Sequence, residues 1–274
     1  MKNVVTIGGG TGSSVVLSGI RNFPNISISA LVPISDSGGS TGKLRKRYHI
    51  AAVGDARQVF SALSGAPHII ESMNKRDANN DPKGNLILAD YEQKYGSPTA
   101  SFAVAATAFL LQPKDRVVPI TDDRSVELWA DMITGGRLEG EHHIDLATNA
   151  VEKIQYNHKV EISAKGKEDI INADYIIICP GSLYTSLLPC LIVDGFNEAL
   201  ERSKAKIIFV ESIGVKNLEI IKSHIKKTLD FIIPSDGLES DTKIIPNPSD
   251  SVPRSILRHD SQKLAKVLEK IIKK

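Results

Sequence analysis

The sequence predicts an α/β protein of three layers, α/β/α: a mainly parallel sheet covered by helices on both faces, with a small antiparallel excursion near residues 116–160. Three observations predict it. Short aliphatic and β-branched runs alternate with amphipathic helical segments along most of the chain. The runs at residues 4–7 and 175–178 show no in–out alternation, as expected of parallel strands buried on both sides. Between about 116 and 160 the texture changes to short pieces separated by turn residues.

The elements follow in order. Residues 4–7 form the first strand, which Gly8 stops. Residues 13–21 read as a helix with Val16, Leu17 and Ile20 on one face. A second strand covers 26–34, and 36–42 is a loop of glycine and small polar residues. Helices are expected at 55–63, at 85–95 closed by Gly96, and at 98–111. In the last of these, Ser97 is the cap and Pro98 the first helical residue. The excursion is read in 117–120, 126–133 and 144–146, with Asp122-Asp123 and Gly135-Gly136 as turns. Parallel strands return at 173–179, 206–210 and 231–233. Helices are expected between them at 194–203, capped by Asp194, and at 218–227. A final helix carries Leu264, Val267, Leu268, Ile271 and Ile272 on one face. No Pro/Ser-rich linker brackets any of these segments, so residues 1–274 read as one domain.

Composition excludes several classes. With 34 Lys+Arg against 32 Asp+Glu the net charge is +2, which argues against nucleic acid as a partner. Aromatics at 5% leave few platforms for stacking bases. Two cysteines, Cys179 and Cys190, make no disulfide framework, so a reducing cytoplasm is the expected location. The first apolar run is too short for a signal peptide and the longest is far short of a membrane span. The seven histidines show no metal-ligand spacing, and His142-His143 on a strand would face opposite ways.

In parallel sheets, ligands bind beyond the carboxyl ends of the strands, near a reversal of strand order. That rule selects the loops at 8–12, 35–42, 180–186, 211–216 and 234–237. Gly9, Gly10, Thr11 and Gly12 join a strand to a helix, so a phosphate could approach main-chain N–H groups at a positive helix end. Ser13 stands where the dinucleotide fingerprint needs its third glycine. In the second loop, Gly38, Gly39, Ser40 and Thr41 could cradle another phosphate, while Asp36 could hold a ribose hydroxyl or Mg²⁺. Ser37 and Leu44 break the P-loop pattern. Lys43 or Arg45 could neutralise ligand phosphates, and Arg57 could be a further phosphate partner. Asp55 reads equally as a helix cap, a general base or a metal ligand. Gly181, Ser182, Tyr184 and Thr185 offer polar contacts after the 173–179 strand, whose Cys179 reads as core. The expectation is that the two glycine loops face each other and jointly grip a diphosphate.

Three of these segments together, Gly8-Gly9-Gly10-Thr11-Gly12, the stretch from Asp36 to Arg45, and Gly54-Asp55-Ala56-Arg57, resemble the opening of the CofD/YvcK-like family. The likeness continues in collinear order through Gly84-Asn85-Leu86, residues 116–121, 180–186 and Arg258-His259-Asp260. The resemblance implies a Rossmann-like domain, adds Asn85 to the ligand-binding residues, and leaves a homo-oligomer open. One branch contains gluconeogenesis factors, nucleotide-sugar-binding proteins tied to carbon metabolism and cell-envelope growth. The other contains 2-phospho-L-lactate transferases, which move a phospholactyl group from a guanylyl-activated donor to a deazaflavin alcohol with Mg²⁺. The spacing of 180–186 and the position of 258–260 resemble the first branch more closely. That resemblance implies a small nucleotide diphosphate or nucleotide sugar as ligand. The transferase alternative would use Asp36 and Asp55 to hold Mg²⁺ or deprotonate the acceptor.

Overall fold

The structure, a computed structural model, describes residues 1–147, 150–214, 217–236, 243–245, 254–256 and 259–273. Arg258, Lys216 and Gly237 of the loops and motifs named above lie outside the described residues. In chain order the first half contains β1 (Lys2–Ile7), α1 (Gly10–Ile20), β2 (Ile26–Val32), α2 (Gly39–Tyr48), α3 (Gly54–Ser64), α4 (Pro67–Asn74), α5 (Lys83–Tyr95), α6 (Pro98–Ala108) and β3 (Arg116–Pro119). Then come β4 (Leu128–Met132), β5 (Arg137–Glu139), α7 (Glu141–Leu146), β6 (Val151–Tyr156), α8 (Ala164–Ile171) and β7 (Tyr175–Ile178). A π-helical turn, Leu183–Leu187, leads into α9 (Leu188–Leu191), α10 (Phe196–Arg202), β8 (Lys206–Val210), α11 (Leu218–His224) and β9 (Phe231–Ile233). Last are β10 (Lys243–Ile245), β11 (Arg254–Ile256) and α12 (Ser261–Ile272).

Six strands form one sheet in the order β3-β2-β1-β7-β8-β9, and every pairing is parallel. The sheet grows one way from β1 through β2 to β3, then the chain crosses back and grows the other way from β7. Right-handed crossovers on either side of that reversal put helices on opposite faces. Accordingly α1 packs with α3 and α12, whereas α8 packs with α10. Val4, Val5, Ile7 and Ile176–Ile178 are all buried, which is why their sequence lacks alternation. The three-layer α/β fold is therefore as the aliphatic runs predict. Among the described residues no helix is long and apolar enough to cross a membrane.

Several expectations need correction. Residues 117–119 belong to the parallel sheet, not to the excursion: β3 pairs with β2 along Ser29↔Arg116 to Val32↔Pro119. Val117 and Val118 are both buried, and Asp115 anchors the start of β3 by accepting the Ile28 N–H at 2.9 Å. The antiparallel excursion itself is real but smaller, a three-stranded sheet in the order β5-β4-β6. Residues 144–146 are the end of α7, a short helix in which only Ile144 is buried. His142 and His143 sit on that helix and not on a strand. Asp194 does not cap α10, because its main chain pairs with Val160 and Ile162 and Gly195 intervenes at φ 85°. Residues 39–42, expected as loop, are the first turn of α2.

Candidate ligand site at the reversal of strand order

The β1–α1 turn and the loop after β7 lie side by side because β1 and β7 are neighbours in the sheet. They are in close contact. A Cβ on Gly12 would stand 1.7 Å from the Pro180 carbonyl oxygen, so only glycine fits there. On the other flank, a Cβ on Gly9 would stand 1.9 Å from Asp55 Oδ2, and Gly10 adjoins Asp55 Oδ1. Glycine is thus required here by protein neighbours as well as by any ligand.

These loops line a cleft of about 440 Å³. Its walls are Gly9, Gly10, Thr11 and Gly12 at the start of α1, Asp55 and Gln58 on α3, and Gly181, Ser182, Thr185 and Ser186 after β7. Glu141 and Asp145 of α7, with Ser212 and His259, complete it. No side chain caps α1 and no acidic residue lies in its first turn, so its positive end is open to the cleft. Ser212 Oγ fixes the Gly181 loop, accepting the Gly181 N–H and donating to its carbonyl, both at 2.9 Å. Thr11 Oγ1 lies 3.2 Å from Gln58 Oε1. His259 Nε2 is 2.7 Å from the Glu211 carbonyl.

The opposite wall is acidic. Asp145 accepts hydroxyl hydrogen bonds from Ser182 at 3.3 Å and Thr185 at 3.2 Å. Burial, then the nearby Asp36 charge, pushes the Asp55 carboxyl up to about 7, with Arg57 opposing. Glu141 is also raised, first by burial and then by Asp36, with which it hydrogen-bonds, and further by Asp55 and Asp145. The Asp55 and Glu141 carboxyls thus retain protons above the ordinary carboxylate range.

Of the residues expected to bind, the structure brings Gly9, Gly10, Thr11, Gly12, Asp55, Gly181, Ser182 and Thr185 to one cleft. It does not bring the second glycine loop with them. Gly38 N–H donates to Asp36 Oδ1 at 2.7 Å, and Gly39, Ser40 and Thr41 wind into α2. Thr41 is buried beside Gly54, and Gly42 sits so close to Ser37 that a Cβ would lie 2.1 Å from its carbonyl oxygen. Lys43 is exposed on α2. Asp55 abuts Gly9 and Gly10, Asp36 abuts Gly38 and Gly54, and none of Gly38, Gly39, Ser40 and Thr41 lines the cleft, so the joint grip of a diphosphate is not the geometry found. Arg57 turns to Asn85 Oδ1 at 3.0 Å and to Asn74, and Asn85 reaches Ser40 at 3.3 Å. Tyr184 OH donates to the Val151 carbonyl at 3.4 Å. Asp55 caps nothing: α3 begins at Gly54, with Val53 before it and no side-chain cap. Cys179 is core, and burial pushes its thiol up to about 12. Glu141, Asp145 and Gln58 escaped the sequence reading because only the fold brings them here, whereas Ser212 lies in the 211–216 loop that the strand-end rule selects.

Arg45 explains how the second loop folds back. Its guanidinium donates to the carbonyls of Ser35 at 3.2 Å, Asp36 at 3.1 Å and Val126 at 2.6 Å, with Arg124 at 3.4 Å. A lysine cannot span four acceptors with one ammonium. Arg45→Lys is expected to lower stability by about 1–2 kcal/mol, read as a lower urea midpoint with an unchanged slope.

Together these features define a doubly wound α/β protein with a polar cleft at the reversal of its strand order. The chain belongs to the CofD family: the family profile described as 2-phospho-L-lactate transferase CofD matches residues 4–270. A protein named gluconeogenesis factor from Halalkalibacterium halodurans is 37% identical over 227 residues, 80% of this chain and 69% of that one. A Thermotoga maritima protein that carries the same name provisionally is 31% identical over 98% of both chains. A crystal structure of a UPF0052-family protein from Bacillus halodurans superposes with a TM-score of 0.83 at 29% identity, over 97% of this chain and 99% of that one.

Proposed function

We propose that the chain binds a nucleoside diphosphate or nucleotide sugar in this cleft, with the phosphates over the start of α1, as a regulatory binding protein of the gluconeogenesis-factor kind. One observation carries the reading: the uncapped N-terminus of α1 opens into a cleft faced by the Ser182 and Thr185 hydroxyls. The homologues' shared name supports the same branch.

The acidic wall accounts for the Mg²⁺ expectation. Among the described residues no three acidic, imidazole or thiol groups are already spaced to hold a metal ion. Mg²⁺, however, commonly takes one or two carboxylates, several waters and the ligand's own phosphates. Asp55 and Asp145 line the cleft and suit that role, whereas Asp36 does not line it. A bound cation would offset the repulsion between these carboxylates and the phosphates.

The test is thermal denaturation with UDP-, GDP- and ADP-based ligands, each with and without Mg²⁺. Ligand at ~100-fold over Kd stabilises by about 2.7 kcal/mol. Absence of any shift across the series would remove this reading. One observation favours the transferase alternative: an Asp55 carboxyl near 7 is suited to remove a proton from an acceptor alcohol. Its test is a phosphodiester product from a deazaflavin alcohol, with loss of turnover in Asp55→Asn.

A further inference from the structure

A second cleft, of about 470 Å³, lies between the end of α2 and the segment that precedes β4. Its lining includes Arg45, Lys46, His49, Arg124 and Glu127, with Ile50 and Val126 buried beneath it. None of its lining residues lines the cleft at the strand reversal. Three permanent cations and one carboxylate thus line a concavity of the size that holds small ligands.

The cations are placed for this, not scattered on a solvated face. They come from two chain segments that Arg45 ties together through the Arg124 and Val126 carbonyls. Arg124 commits one nitrogen to the Gly96 carbonyl at 2.7 Å, which anchors its side chain at the rim. Among the described residues neither Lys46 nor Arg124 is in an ion pair. His49 closes α2 in a left-handed conformation, φ 54°, at a position that glycine usually takes. Ser37 lies in the same lining, and its hydroxyl can donate to oxygen.

We propose that this cleft binds a small phosphorylated metabolite, with the phosphate between Lys46 and Arg124. A guanidinium gives a phosphate two parallel hydrogen bonds and an ammonium gives it a point charge. The cavity is larger than a bare phosphate fills, which leaves room for a carbon skeleton. This site is independent of nucleotide binding at the strand reversal, so either reading can fail without the other.

The test is isothermal titration of the full chain with glucose 6-phosphate, 3-phosphoglycerate and pyrophosphate at fixed ionic strength. At least one organic phosphate should bind saturably with one site per chain and more tightly than pyrophosphate. The Lys46→Ala/Arg124→Ala variant should weaken it at least about tenfold, since two charge-assisted contacts are lost. Both side chains are exposed, so the variant should keep its melting temperature. A Ser182→Ala/Thr185→Ala variant should bind the metabolite as the unaltered chain does. No saturable binding at millimolar ligand, equal binding by the Lys46/Arg124 variant, or loss in the Ser182/Thr185 variant would each overturn the proposal.

Discussion

Gly12→Ala should destabilise the protein by on the order of 3 kcal/mol, the upper end of what forcing one carbon into a packed interior costs. The added Cβ would lie 1.7 Å from the Pro180 carbonyl oxygen, and that partner is main chain. Relief requires moving either the start of α1 or the backbone that follows β7, which Cys179 N–H ties to Ile7 O at 3.0 Å. Gly9→Ala is a useful contrast. Its clash is with the end of the Asp55 side chain, which can rotate away, so its damage falls on the cleft more than on the fold. Gly39→Ala separates space from conformation: its φ is +46° and nothing lies within 4 Å. It should cost only about 1–2 kcal/mol, the penalty of left-handed backbone. Urea denaturation of the three variants checks the ranking. A Gly12→Ala protein as stable as Gly39→Ala would mean that the two loops do not meet as described.

Asp55→Asn should flatten the pH dependence of stability in metal-free buffer. The Asp55 carboxyl is raised from 3.8 to about 7, chiefly by burial and secondly by Asp36. Between these values the folded chain holds a proton that the unfolded chain has released, so stability falls as pH rises through the window. At ~1.4 kcal/mol per pH unit, the loss approaches about 4 kcal/mol at most. Glu141, raised for the same reasons, adds to it in the same direction. Asparagine has no proton to lose. The variant should therefore show a flatter profile from pH 4 to 7 and exceed the unaltered chain above pH 7, read by urea denaturation with EDTA. Parallel profiles would show that Asp55 is better solvated than its surroundings indicate. In the unaltered chain, an anionic ligand without Mg²⁺ should bind more tightly at pH 6 than at pH 8, where the acidic wall is more fully ionised.

Much of the fold is legible because burial on both faces leaves an unmistakable mark. The runs at 4–7 and 175–178 read as inner strands because they lack alternation, and a strand followed by glycines and a helix gives the first unit outright. Residues 117–119 were harder to place. A short run ending in Pro119 next to turn residues looks the same whether it joins the main sheet or the excursion, and only the pairing with β2 decides it. The Gly39–Gly42 stretch has poor helix propensity, yet α2 starts there because Arg45 ties down the Ser35 and Asp36 carbonyls from below. The β1–α1 and β7 ends of the cleft were legible as loops at strand ends. Its acidic wall was not: Glu141 and Asp145 sit on a six-residue helix without apolar periodicity, about 130 residues from the Gly9–Gly12 turn.

The most direct test is a crystal structure of the chain with a UDP-sugar and Mg²⁺. The account predicts phosphate oxygens within hydrogen-bonding distance of the main-chain N–H groups at Thr11 and Gly12, with Asp145 displaced from the Ser182 and Thr185 hydroxyls. Phosphate density confined to the Lys46–Arg124 cleft, with Asp145 still on both hydroxyls, would contradict it.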